Sequence, residues 1–430
     1  MGRRRADRRR LAEWGKNALI LLLTASALYL LSMTPLIRES GLPGLLHRDT
    51  DQQSGGSVTL TAAARPSRMA LTTSGGRYAL QYDQSAVDDL FARQGPLLGE
   101  ALTSAGEPSS MTESQWRTYL KGESIYFDFS GQVPLSALGT WLNQEGVCLL
   151  EDSARRVLLC AGGGDQVLLC WESTENGRSF RFSVTALSVS LHLEPALRGA
   201  AENGAQFAFE NAELSALLDP YTLITEEPAQ QIYAVSNPLS GADAAADVLA
   251  TLDFNGRSHA SVNGGERYLD GNDRLLVRTG GSVSFTAGDP GKYPVAHAGD
   301  TPTVAEAIEA ARALAEHTVG AYCGAAQLYL SAVRPAGEGG WVVRFGYRLN
   351  GSTVWLYEDG WAAEVEIAGS DITDFTLHFR SYTAAGEQAL LLPLSRAAVM
   401  LPGLGQTGRE LVVRYEDSGE NAALPGWVAQ

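Results

Sequence analysis

Nucleophile, metal and phosphate motifs are scarce in this 430-residue chain. Four cysteines occur, Cys148, Cys160, Cys170 and Cys323, and none has CxxC spacing. Zinc and thioredoxin-like chemistry therefore lack their ligands. A disulfide is open to a protein outside the cytoplasm. The preferred reading is buried, unpaired thiols, because Cys148, Cys160 and Cys170 fall in strand-like runs. The histidines, His47, His192, His259, His297, His317 and His378, show no HxH or HExxH spacing, so no metal site is marked. A GxSxG elbow, an SxxK pair and a P-loop are all missing, which removes the usual serine-hydrolase, penicillin-binding and NTPase signatures. No cofactor is called for.

Positive charge is also scarce beyond the first residues. The net charge is −16. The first 16 residues carry seven basic and two acidic side chains, and the remainder sums to −21. So acidic a body argues against nucleic-acid binding and against adhesion to an anionic membrane surface.

One long interval lacks charge altogether. From Asn17 to Ile37 no side chain is ionisable, over 21 residues. About 20 apolar residues in a helix span a bilayer core. The preceding arginines orient the crossing, with residues 1–16 as a cytoplasmic basic tail and the body outside. Ala25-Ser26-Ala27 resembles a signal-peptidase site, but the apolar run continues through Leu31. A retained membrane helix is the preferred reading.

Residues 38–66, rich in Gly, Ser and polar side chains, read as a tether. Residues 67–240 read as an N-terminal α+β domain. It opens with a hairpin, "SRMALTTSGGRYALQYD", and a helix broken or kinked at Gly95-Pro96. In "ESIYFDFSG", Ile125, Phe127 and Phe129 share one strand face. "LSALGTWL" is a short helix. Residues 241–300 form a central β-rich segment, with hairpin turns at Asn-Gly, Asp-Gly and Gly-Gly. Residues 301–430 read as a C-terminal domain. There Thr303 and Glu306 make a capping box, and Val304, Ile308, Ala311 and Ala315 line one helix face up to a stop at Gly320. Val365 and Ile367 then alternate with Glu364 and Glu366, as a sheet with one dry face requires. The expected class is α+β: one transmembrane helix, then extracytoplasmic antiparallel sheets with helices packed on one face.

Carboxylate pairs, at Asp88-Asp89, Glu358-Asp359 and Glu416-Asp417, leave a two-carboxylate hydrolase open, though solubilising surface charge explains them as well. His378 falls on a wet strand face and reads as a surface residue.

The order of several pieces resembles the YycH family. They are the arginine-rich start, the single membrane helix, "WRTYLKGESIYFDFSGQVPLSALGTWL", "ERYLDGNDRLLVRTGGSVSFTAG" and "VRFGYRLNGSTVWLYEDGWAAEVEIAG". The tail "ELVVRYEDSGENAALPGWVAQ" is similar to the closing strands of YycI and PepSY-like domains. The resemblance implies a non-enzymatic regulator outside a Gram-positive cell membrane. Its implied partners are a sensor histidine kinase of the WalK (YycG) type, governing cell-wall remodelling, and a YycI-like sibling protein. It transfers no catalytic residue. It also implies that the membrane helix takes part in kinase contact. Thr24, Ala25, Ser26 and Ala27 are the candidates, since small residues let helices approach closely and hydroxyls can bond across. The competing readings are an anchored wall hydrolase and a binding module for peptides or wall fragments.

Overall fold

The runs "VLLC" and "VLLCWES" are apolar at successive positions, so both faces of their strands must be covered. The computed structural model covers them that way. It describes residues 62–430 except 144–145, 174–176, 227–228, 242–243, 257, 263, 338, 357–359, 401–408 and 420. All described residues fall in one compact unit, Thr59–Gln430.

Seven strands make the first sheet: β1 (Arg68–Thr73), β2 (Gly76–Gln81), β3 (Ser109–Met111), β4 (Ser124–Pro134), β5 (Ser153–Ala161), β6 (Val167–Ser173) and β7 (Ser179–Val184). Their order is β2-β1-β4-β5-β6-β7-β3, and every pairing is antiparallel. One face packs on α1 (Gln84–Ser104), α3 (Leu135–Leu142) and α4 (Leu187–Leu197). Ile125, Phe127, Phe129, Leu159 and Trp171 point there. The other face, with Tyr126, Leu158, Cys160 and Cys170, is covered by α2 (Glu113–Lys121) and by the segment around Phe207 and Tyr221. Helices thus flank this sheet on both sides, where one side was expected. The cause is the unbroken burial along β6.

The helix expected to break or kink at Gly95-Pro96 does not break there and runs on to Ser104. Proline removes one donor inside a helix. Packing outweighs this loss: Leu90, Phe91, Leu97, Leu98 and Leu102 are all buried. Asp83 caps the start by accepting from the Ala86 amide at 3.1 Å.

A short pair, β8 (Gln206–Phe207) and β9 (Leu223–Ile224), precedes the second sheet. That sheet has 13 strands. They are β10 (Gln230–Ser236), β11 (Ser258–Val262), β12 (Gly265–Asp270), β13 (Asp273–Arg278), β14 (Ser282–Thr286), β15 (Gln327–Ala336) and β16 (Gly340–Leu349). β17 (Ser352–Leu356), β18 (Ala363–Ala368), β19 (Asp371–His378), β20 (Ser381–Ala389), β21 (Leu411–Asp417) and β22 (Ala422–Ala429) complete it. The order is β11-β12-β13-β14-β19-β18-β16-β17-β21-β22-β10-β20, with β15 beside β16. Only β17 and β21 run parallel among these pairings. The sheet crosses the segment boundaries expected at 240 and 300, since β14 pairs with β19 and β10 lies between β22 and β20.

Helices α5 (Ala244–Thr251), α6 (Val304–Ala315) and α7 (Leu394–Met400) complete the body. α6 carries the expected capping box, Thr303 with Glu306, and buries Ala307, Ile308, Ala311 and Ala315. Gly320 does not stop it; the helix passes into a π-helical turn, Glu316–Gly320. Val365 and Ile367 are fully buried in β18 and Glu366 is exposed, matching the alternation. Between β16 and β17, Asn350 (φ 47°) and Gly351 (φ 83°) make the tight hairpin turn that positive φ at both positions allows. The Asn350 amide also donates to the Tyr82 carbonyl at 2.6 Å, and its oxygen accepts from the Gln84 amide at 3.0 Å. This turn fastens the second sheet to the first.

Candidate functional surfaces

The segment 17–37, and with it Thr24, Ala25, Ser26 and Ala27, lies outside the described residues. Among the described residues no helix is long and apolar enough to cross a membrane, and no group of three His, Cys, Asp or Glu side chains is placed to hold a metal.

The strongest electrostatic feature is internal. Arg68 on β1, Asp128 on β4, Arg155 and Arg156 on β5, and Glu172 on β6 converge with Arg178, Asp219 and Glu410. Arg155 reaches Asp128 at 2.8 Å and Glu410 at 2.7 Å. Arg156 reaches Glu172 at 2.9 Å, Glu410 at 3.1 Å and Asp219 at 3.3 Å. Arg68 bonds directly to Glu410, and Arg178 to Glu172. Four guanidinium groups face four carboxylates. Burial alone would raise the Glu410 carboxyl; Arg155, Arg68 and Arg156 overcome it and hold it well below the carboxylate range. Burial likewise opposes charge on Arg156, yet its carboxylate neighbours keep it firmly protonated. Every carboxylate here is bonded to at least one arginine, and Glu410, held ionised by three of them, is unsuited to giving or taking a proton at neutral pH. The cluster is a clasp between β1, β4, β5, β6 and the residue that precedes β21.

The other titratable candidates do not assemble into a site. Asp88 pairs with Arg65 at 2.6 Å. Asp417 is buried and accepts from the Tyr382 hydroxyl at 2.9 Å, while Glu416 points outward. Glu358-Asp359 lies outside the described residues. His378 is half-buried against the Trp361 ring. The four cysteines are buried and free, with Cys160 and Cys170 sulfurs 3.7 Å apart. The glycines of "GLGQTG" (403–408) fit GxGxxG spacing. The dinucleotide fingerprint needs a strand-to-helix turn in a parallel βαβ unit. Here the glycines follow helix α7 and precede β21.

Two of the surface clefts among the described residues bear on the sheets. The larger, about 530 Å³, lies beside β3, the end strand of the first sheet, and is lined by Ser110, Met111, Glu113, Arg178, Ser179, Phe180 and Arg181. Both arginines are committed, Arg178 to Glu172 and Asp219, and Arg181 to Asp152 at 2.6 Å. The smaller, about 180 Å³, is bounded by Tyr82, Val413 and Trp427. The Trp427 indole donates to the Leu392 carbonyl at 2.7 Å, which fixes the closing Pro-Gly-Trp against the body. Among the described residues, large apolar side chains are exposed at Val147, Leu149, Val184, Leu187 and Leu191, at Leu390, Leu392, Val399 and Met400, and at Trp355 and Leu424.

This architecture defines an α+β body built on two large, mainly antiparallel sheets, with a buried ion cluster beside the first of them. No family model matches the sequence, and no curated protein matches it. Among solved structures, the chain has the fold of YycH from Bacillus subtilis: TM-score 0.50 and 12% identity, over 86% of this chain and 95% of that one. The YycH resemblance read from the sequence is thereby borne out at the level of fold. An uncharacterized protein from Eubacterium rectale aligns over 47% of this chain and 76% of its own, at 15% identity and a TM-score of 0.32, too low to carry an argument.

Proposed function

We propose that this chain is a membrane-anchored, non-catalytic regulator, acting outside the cell membrane on a WalK (YycG)-like sensor histidine kinase that controls cell-wall homeostasis. The supporting observation is the YycH fold, shared over 95% of that protein's chain. The arrangement of titratable groups agrees with a regulatory role, since the buried carboxylates are all arginine-bound. In this reading residues 17–37 span the membrane once, with the basic tail inside. Thr24, Ala25, Ser26 and Ala27 then meet the kinase or a YycI-like sibling within the bilayer.

The deciding experiment is affinity purification of the full-length chain from membranes of its own cell, with bound proteins read by mass spectrometry. Recovery of the sensor kinase supports the proposal; its absence under mild detergent overturns it. Protease applied to protoplasts tests the topology, because an exposed body is digested and a cytoplasmic one survives until lysis.

The cleft beside β3 favours one second reading, a module that binds a peptide or wall fragment along an open strand edge. Titration of the purified chain with muropeptides checks it.

A further inference from the structure

Leu149 (82% exposed), Val147 (74%), Leu191 (68%) and Leu187 (65%) stand in solvent, with Val184 beside them at 40%. They come from three segments: the loop after α3, the end of β7, and α4. These segments converge on the C-terminal end of α1. Asn143 donates to the Thr103 hydroxyl at 3.0 Å, the Ala186 amide to the Ser104 hydroxyl at 3.2 Å, and the Gly106 amide to the Val184 carbonyl at 3.1 Å. A Cβ on Gly146 would meet Thr103 at 2.6 Å, which brings the loop down onto the helix end. The exposed side chains therefore form one patch. Single exposed apolar residues need no explanation, but such a cluster marks a contact surface. In α4 the opposite stripe, Val189, Leu193 and Leu197, is already buried in the core, so Leu187 and Leu191 form a second face, four residues apart.

The rim of the patch selects its occupant. Glu100 lies near the C-terminal end of α1 and Glu194 on α4, while Glu107 follows Gly106 and Glu151 follows Leu149 by two residues, so all four sit on or beside the converging segments. The nearby arginines are taken: Arg198 pairs with Glu194 at 2.9 Å, and Arg181 with Asp152 at 2.6 Å; the His192 ring lies 3.4 Å from Glu100. Glu107 and Glu151 are exposed and make no ion pair among the described residues. A second copy would set these carboxylates against their own kind. An anionic lipid surface would repel them, together with the rest of the acidic body. A protein with an apolar centre and a rim of Lys or Arg fits both features, as interfaces pair a dry core with a charged rim.

We propose that this patch is the docking surface for such a partner, the extracytoplasmic part of the sensor kinase. The inference rests on the functional reading above and adds the place of contact. The test uses the full chain, co-expressed with the kinase of its own cell, carrying a photo-crosslinking residue at Leu149, at Leu187, or at Leu390 in the other apolar group. Leu149 and Leu187 should capture the kinase and Leu390 should not. The triple variant Leu149→Asp, Leu187→Asp, Leu191→Asp should lose at least tenfold in kinase co-purification with its melting temperature unchanged, because these side chains already face water. Glu107→Lys with Glu151→Lys should weaken it in the same direction. Capture of lipid or of a second copy overturns the assignment, as does undiminished co-purification of the triple variant. If the parent chain retains the kinase and the patch variants do too, only the docking surface falls. If the parent retains no kinase, the functional reading falls and the docking surface with it.

Discussion

Arg156 and Glu410 stand 254 residues apart in the chain and share a 3.1 Å hydrogen bond in the interior. Glu410 is also the common acceptor for Arg68 and Arg155. Removing its charge leaves four buried guanidinium groups facing three carboxylates, and an uncompensated buried charge costs about 3–5 kcal/mol. Glu410→Gln, which keeps the shape, is expected to lower the unfolding free energy read from urea titration by that amount. Glu387→Gln, on the exposed part of β20, should change stability by less than about 0.5 kcal/mol.

The same carboxylate sets an acid limb. Its folded pKa lies below the ordinary 4.5. A depressed carboxylate pKa gives stability that is fully present above the unfolded value and is lost as pH falls through the folded one. Stability should therefore hold from neutral pH to about 4.5 and fall steeply below it. In Glu410→Gln this fall should be shallower. Urea titrations at pH 7, 5, 4 and 3 read both slopes.

Within β18, Val365 is fully buried and its neighbour Glu364 bonds to Arg344 on the open face. Val365→Asp puts an unpaired charge in the core and should cost several kcal/mol, enough to leave little folded protein. Glu364→Ala removes only a half-exposed ion pair and should cost below about 1 kcal/mol. Circular dichroism melts of the two variants make the comparison.

Burial pushes the Cys170 thiol well above its ordinary range, with the Cys160 sulfur adding to the effect. A thiol so held is a poor nucleophile. Native protein should react negligibly with a thiol reagent over minutes at pH 8, and protein in guanidinium should release all four thiols. Two fast thiols in the native state would contradict the buried pair.

For the proposed membrane helix, Thr24→Leu with Ser26→Leu adds only apolar area and should leave insertion intact. Lost cross-helix bonds should weaken co-purification with the kinase or its sibling by about 1–2 kcal/mol. Unaltered binding would reduce the segment to an anchor.

What could be read from the sequence was local. The Thr303–Glu306 box and the alternation of Val365 with Glu364 each depend on residues a few positions apart, and each appears in the structure. The helix continues through Pro96 because tertiary burial of Leu97 and Leu98 outweighs a local breaker. The ion clasp was invisible for a different reason. Arg156 in a strand pattern looks like a wet position, and Glu410 precedes "LVVRY" with nothing to mark it as buried. Only the pairing of distant strands brings them together. The apolar patch had a faint signal, Leu187 and Leu191 four apart, but Val189 and Leu193 in the same helix also read as core.

The position of β10 bears on how the protein is made. This strand leaves the ribosome about 150 residues before β20 and nearly 190 before β22, the two strands that flank it. Until they arrive, both of its hydrogen-bonding edges are open. Pairings so distant in sequence are slow to form and leave unpaired edges open to wrong partners. The second sheet cannot close until its last strand has been made. Loss of residues 422–430, which hold β22, should therefore open an edge of β10 and of β21 together and make the chain prone to proteolysis rather than merely shorten it; in the proposed topology that degradation would fall to extracytoplasmic proteases.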